Sequence, residues 1–139
     1  GDTSRSIGFQ WTPEGLETLY LKSKGLIDVR SAGVPYPMSG GWFDIHDLEG
    51  LRALAVQLRQ LGYTGMHLIH PSHVPVVNEV FSPSPEDVKH WQGLVKAMEE
   101  MRATGGAAVT FGGDMVDIAH EETARTMLAI AKEMGIEGA

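Results

Sequence analysis

Pro71 constrains the fold of this chain more than any other residue. It closes a short apolar run, Met66-His67-Leu68-Ile69, and it cannot donate a hydrogen bond to a sheet ladder. The run, bounded by breakers, predicts a buried strand that ends at Pro71. His70 is then expected at the carboxyl end of that strand, where α/β proteins usually carry their chemistry. An amphipathic piece follows, and Ser84-Pro85-Glu86-Asp87 opens a long helix with Ser at the N-cap, Pro at the first position and an acid at the third. Its apolar face is Val88, Trp91, Leu94, Val95, Met98 and Met101, and Thr104-Gly105-Gly106 stops it.

The other elements follow from the same rules. Gly1 to Gly8 reads as a polar loop. Thr12-Pro13-Glu14 reads as a helix start, with Leu16, Leu19, Tyr20, Leu26 and Ile27 at helical spacing, a weak point at Gly25 and a stop at Gly33. Val34 to Met38 is a strand candidate that Pro35 and Pro37 break. Asp47 caps a helix with the stripe Leu51, Leu54, Ala55, Leu58 and Leu61, closed by Gly62; such a stripe is core. Helix and strand alternating with short loops is the grammar of a parallel sheet. Ala107 to Phe111, Gly112-Gly113 and Met115 to Ile118 predict a β-hairpin on a two-glycine turn, with Asp114 as a turn residue. His120-Glu121-Glu122 opens a last helix, with Ala124, Met127, Leu128, Ala131 and Met134 inward and Gly135 as its stop.

The 139 residues suit one small domain. Lys and Arg number 11 against 18 Asp and Glu, a formal charge of −7. That argues against nucleic acid and anionic membrane as primary partners. No apolar run approaches the ~20 residues of a membrane span, and no signal peptide is visible. The absence of cysteine removes disulfide and thiolate chemistry and fits a reducing cytoplasm. Gly1 is not an initiator Met, so upstream sequence is expected.

Three motifs carry a family resemblance: Gly65-x-x-x-Ile69-His70-Pro71-Ser72, Asn78-x-x-Phe81-x-Pro83-Ser84, and Gly113-x-Met115-Val116-Asp117. With Asp47-Leu48-Glu49-Gly50-Leu51, they resemble the second half of the citrate lyase beta-subunit-like lyases. These belong to the HpcH/HpaI aldolase superfamily, which includes the malyl-CoA and citramalyl-CoA lyases. The resemblance runs from about Asp2 to Ala131. It implies an α/β fold: the C-terminal part of a TIM (β/α)8 barrel over residues 1–84, then the last barrel helix and a helix–hairpin–helix lid over 85–139. The sequence departs from the family pattern at Ser39-Gly40, where Asp-Gly is usual, at Met66, where Lys or Arg is usual nearby, and at His73, where Gln is usual.

The resemblance also implies a reaction: reversible carbon–carbon cleavage of a 3-hydroxyacyl-CoA to an acyl-CoA and a 2-oxo acid, with Mg²⁺ as Lewis acid. Asp2 matches one of two metal carboxylates, and the other, a Glu, is expected upstream. His70 and Pro71 match a segment beside the CoA-binding mouth. Read from the residues alone, His67 and His70 lack a third clustered ligand, and His70 is a structural histidine capping Asn78 or a loop carbonyl. Asp117 matches the acid/base that a lid presents to a neighbouring subunit; by position alone it is an N-cap. The expected assembly is a homo-oligomer, trimer or hexamer, with lid exchange, in the cytoplasm or, in a eukaryote, the mitochondrial matrix. The alternatives are a CoA-independent metal aldolase and an inactive truncated piece that packs through an open barrel edge and the lid.

Overall fold

The structure is a computed structural model that describes residues 2–136 and 138. It is a mixed α/β chain of two compact units, Gly1–Phe81 and Ser82–Ala139.

The first unit opens with a short helix, α1 (Asp2–Ile7), where a loop was expected. Asp2 sits in its first turn and pairs with Arg5, one turn on, at 3.3 Å. Gly8 ends the helix, its N–H donating to the Ser4 carbonyl at 2.7 Å. Helix α2 (Leu16–Ser31) starts later than the Thr12-Pro13-Glu14 signature predicts. Those residues form a turn instead: Thr12 Oγ1 accepts from Gly15 N–H, and the Glu17 carboxylate accepts from Thr12 N–H and Oγ1–H. Gly15, at φ 66°, then becomes the residue before the helix.

Strands β1 (Met38–Ser39) and β2 (Gly65–Met66) pair in parallel, Met38 opposite Gly65. The prolines keep this ladder short. Pro37 contributes only its carbonyl, which accepts from Thr64 N–H at 2.9 Å. The strand expected over Met66 to Ile69 therefore stops early, and His70 lies in a bend four residues beyond it. Between the strands runs α3 (Leu48–Leu61), capped as its sequence predicts: Asp47 Oδ1 accepts from Gly50 N–H at 2.8 Å, and Gly62 closes the helix at φ 107°. Leu51, Ala55 and Leu58 are fully buried against Met66 and against Val77 and Val80 of α4 (His73–Phe81). Arg52 grips Glu79 with two hydrogen bonds of 2.8 and 2.6 Å, and Arg59 donates to the Val80 carbonyl, which fastens α3 to α4.

In the second unit, α5 (Pro85–Ala103) begins with a full capping box. Ser84 Oγ accepts from Asp87 N–H, and the Asp87 carboxylate accepts from Ser84 N–H, both at 3.0 Å. Strands β3 (Val109–Phe111) and β4 (Asp114–Val116) form the expected hairpin. Its turn glycines, Gly112 at φ 63° and Gly113 at φ 97°, supply the left-handed backbone that a tight hairpin turn requires. Asp114 is the first residue of β4, opposite Phe111, rather than a central turn residue. The hairpin lies close on α5, and a Cβ on Gly93 would stand 2.9 Å from the Phe111 ring. Helix α6 (Ile118–Glu133) starts before His120, because Asp117 is its cap. Leu94, Met98, Val116 and Ala124 form the core of this unit.

One charged side chain is inside that core. Glu121 is 3% exposed, and its carboxylate accepts from Arg102 of α5 and from Arg125 one turn along α6. Both guanidinium groups remain half exposed. Among the described residues, no helix is long and apolar enough to cross a membrane.

Candidate active site

Asp117 occupies the junction between β4 and α6. The chain leaves the hairpin in extended conformation and turns directly into a helix, so the side chain at this residue folds back over the first helical turn. Its Oδ1 collects three donors: Ala119 N–H at 3.0 Å, His120 N–H at 3.4 Å and the His120 ring nitrogen Nδ1 at 2.7 Å. An ionised carboxylate can only accept, so Nδ1 carries the hydrogen in that last bond. The Asp117 N–H also faces Nδ1, at 3.3 Å, but the shorter, charge-assisted contact dominates. The His120 ring hydrogen bond, then the backbone N–H groups of His120 and Ala119, hold the Asp117 carboxyl below its ordinary value. Both side chains stay half exposed.

The ring of His120 borders a groove of about 290 Å³ between α5 and α6, lined also by His90, Trp91, Leu94 and Thr123. On the hairpin and cap flanking Asp117, Met115 and Ile118 are 76% and 61% exposed.

The other expected site residues belong to the first unit. Asp2 is almost fully exposed and bound to Arg5. A neighbouring cation competes with any metal, and among the described residues no group of three or more His, Asp or Glu could hold one. Mg²⁺ is usually held by one or two carboxylates, its octahedron completed by waters and substrate oxygens, and Asp2 is the one carboxylate expected for that role in this chain.

His70 caps neither Asn78 nor a loop carbonyl. Its Nδ1 contacts Ser72 Oγ at 2.7 Å and accepts from Ser72 N–H at 3.2 Å, a local turn that leads into α4. His70 and Pro71 are both exposed.

Sequence reasoning missed two residues. His120 was read only as a helix opener, although Asp-x-x-His at the cap and third position is the spacing of a capping box. His73 is fully buried beside His70, with neither ring nitrogen hydrogen-bonded. No local pattern marks that burial.

No family model matches the chain. Curated relatives do. The mitochondrial citramalyl-CoA lyase of Homo sapiens is 32% identical over 130 residues, 94% of this chain and 38% of that protein. The (3S)-malyl-CoA thioesterase of Cereibacter sphaeroides is 32% identical over 131 residues, covering 94% and 46%. A citrate lyase subunit beta-like protein of Deinococcus radiodurans is 35% identical over 128 residues, covering 92% and 45%. The chain thus spans less than half the length of each of these relatives. Among solved structures, CitE from Mycobacterium tuberculosis, in complex with magnesium, acetoacetate and coenzyme A, superposes with a TM-score of 0.69 at 30% identity, over 81% of this chain and 40% of that one. A citrate lyase from Burkholderia xenovorans gives 0.62 at 19% identity, which supports the fold alone. Across the length these proteins share with it, the chain is consistent with the citrate lyase beta-subunit-like family.

Proposed function

We propose that the chain forms the C-terminal part of a Mg²⁺-dependent carbon–carbon lyase acting on a 3-hydroxyacyl-CoA. Residues 1–84 complete a (β/α)8 barrel, and 85–139 add its last helix and a lid. The observation that carries this reading is Asp117: an exposed carboxylate in the Met-Val-Asp motif, held ionised, with Oδ1 saturated and Oδ2 outside those bonds. The named relatives supply the thioester chemistry.

Asp117 starts as a base. In cleavage it takes the proton of the 3-hydroxyl; the C2–C3 bond breaks, its electron pair passes to a thioester enolate, and C3 becomes the carbonyl of the 2-oxo acid. The protonated Asp117 then returns the proton to the enolate carbon. Both flanking apolar side chains are exposed, which suits a lid that closes over a neighbouring copy. His70 and Pro71, in their exposed turn, are the candidates beside the CoA moiety. Asp2 alone does not make a magnesium site; with a second carboxylate it would hold the ion, which would act as a Lewis acid on the oxygens of the 2-oxo acid portion. The cytoplasm or mitochondrial matrix suits a thioester substrate.

Asp117→Asn tests the reading. Asn caps a helix about as well as Asp, so folding is preserved while the base is removed. In the protein at its native length, with Mg²⁺ and malyl-CoA or citramalyl-CoA, turnover should be abolished while CoA still binds. Full activity refutes the role.

A second reading is favoured by the exposure of Asp2 and its pairing with Arg5: an inactive assembly piece that packs through the exposed Leu16, Tyr20 and Ile27 of α2. Sedimentation showing an isolated monomer counts against it.

A further inference from the structure

We propose that His120 is a positioning residue for Asp117, fixing the carboxylate so that Oδ2 alone is left to exchange a proton. The inference rests on the reading of Asp117 as the acid/base and deepens it. Three donors converge on Oδ1, and the shortest bond is the one from the imidazole. The ring completes a capping box by facing the Asp117 N–H at 3.3 Å. With two backbone N–H groups already on Oδ1, the cap does not by itself account for the shorter 2.7 Å contact of the ring with the carboxylate. Core packing does not account for it either, because the His120 side chain is 55% exposed.

The bond spans cap to third position, where both side chains leave a fixed backbone. It therefore sets the plane of the carboxylate as well as its charge. The titratable groups around the ring are Asp117, His90 across the groove on α5, and Glu121, whose carboxylate is turned away to Arg102 and Arg125.

The test compares His120→Leu with His120→Asn in the protein at its native length. Loss of the ring hydrogen bond raises the Asp117 value, so the basic form appears only at higher pH. In His120→Leu the acid limb of the kcat–pH profile should therefore move upward. At the plateau kcat should fall by about three- to tenfold, with KM for the thioester unchanged. The Asn amide places a donor near the position of Nδ1 and should restore most of both. An unmoved limb and unchanged kcat in His120→Leu overturn the role, as does equal loss in the two variants. Asp117→Asn run in parallel separates the two readings. If it is inactive and His120→Leu behaves as wild type, only the role of His120 falls. If it keeps full turnover, the acid/base assignment falls and takes this role with it.

Discussion

Replacing Glu121 by Gln should cost more than replacing it by Leu, although Gln is the closer mimic. The carboxylate is 3% exposed and accepts from Arg102 across the α5–α6 interface and from Arg125 on its own helix. Gln keeps the volume but turns an N–H₂ group toward guanidinium donors. A buried donor then has no acceptor, and a charge-assisted bond becomes a neutral one; together these cost about 2 kcal/mol. Leu removes the buried polar group altogether. The guanidinium groups it abandons are half exposed and turn to water, so its cost should stay within about 1 kcal/mol. Thermal or guanidinium unfolding, with hydrogen exchange in α5 and α6 to confirm that this unit is the one melting, measures the difference. For a unit of this size 2 kcal/mol is roughly a 10 °C shift in Tm. If Leu proves costlier than Gln, the ion pairs contribute net stability and the reasoning fails.

Gly50→Ala, a change that normally stabilises an exposed helix, should destabilise by about 1–3 kcal/mol in a thermal melt: the new Cβ would stand 2.1 Å from Asp47 Oδ2 and 2.4 Å from the Trp42 ring, displacing the cap. His73→Leu should leave denaturant stability unchanged or raise it by about 1 kcal/mol, since neither ring nitrogen is hydrogen-bonded; a large loss would mean that the ring has a partner. Asp117 has a lowered folded value, so its contribution to stability is present above the ordinary value of 3.8 and is lost as pH falls through the folded one. In His120→Leu that acid-side loss should shrink, as carboxyl NMR titration paired with melts at pH 3 and pH 6 would show.

The elements legible in the sequence are those that a few neighbouring residues decide. Ser84 with Asp87, Asp47 with Gly50, Gly62 and the Gly112-Gly113 turn each satisfy or release backbone groups within four residues, so composition at fixed spacing was enough. The motif Met115-Val116-Asp117 was legible only through the family resemblance; what local spacing made legible there was the N-cap at Asp117. Where two local solutions compete, the sequence misled. Thr12 can cap a helix or hold a turn, and the Glu17 carboxylate, five residues away, tips it to the turn. Burial was the least legible quantity. Glu121 and His73 are polar residues enclosed by side chains from other elements, and nothing adjacent to them in the chain announces it.

Gly93 has a consequence for where the acidic side chain arrives. The aromatic ring at 111 rests where a methyl on α5 would collide with it, so the tilt of the hairpin is set by one missing carbon. Adding that carbon would pry the two-stranded arm away from its support. The arm ends at residue 116, so any change of angle at its base is carried outward to the carboxylate next in the chain. In the proposed lid the reach would be set at a distance from the tip, and a substitution on α5, far from residue 117, would still displace that carboxylate.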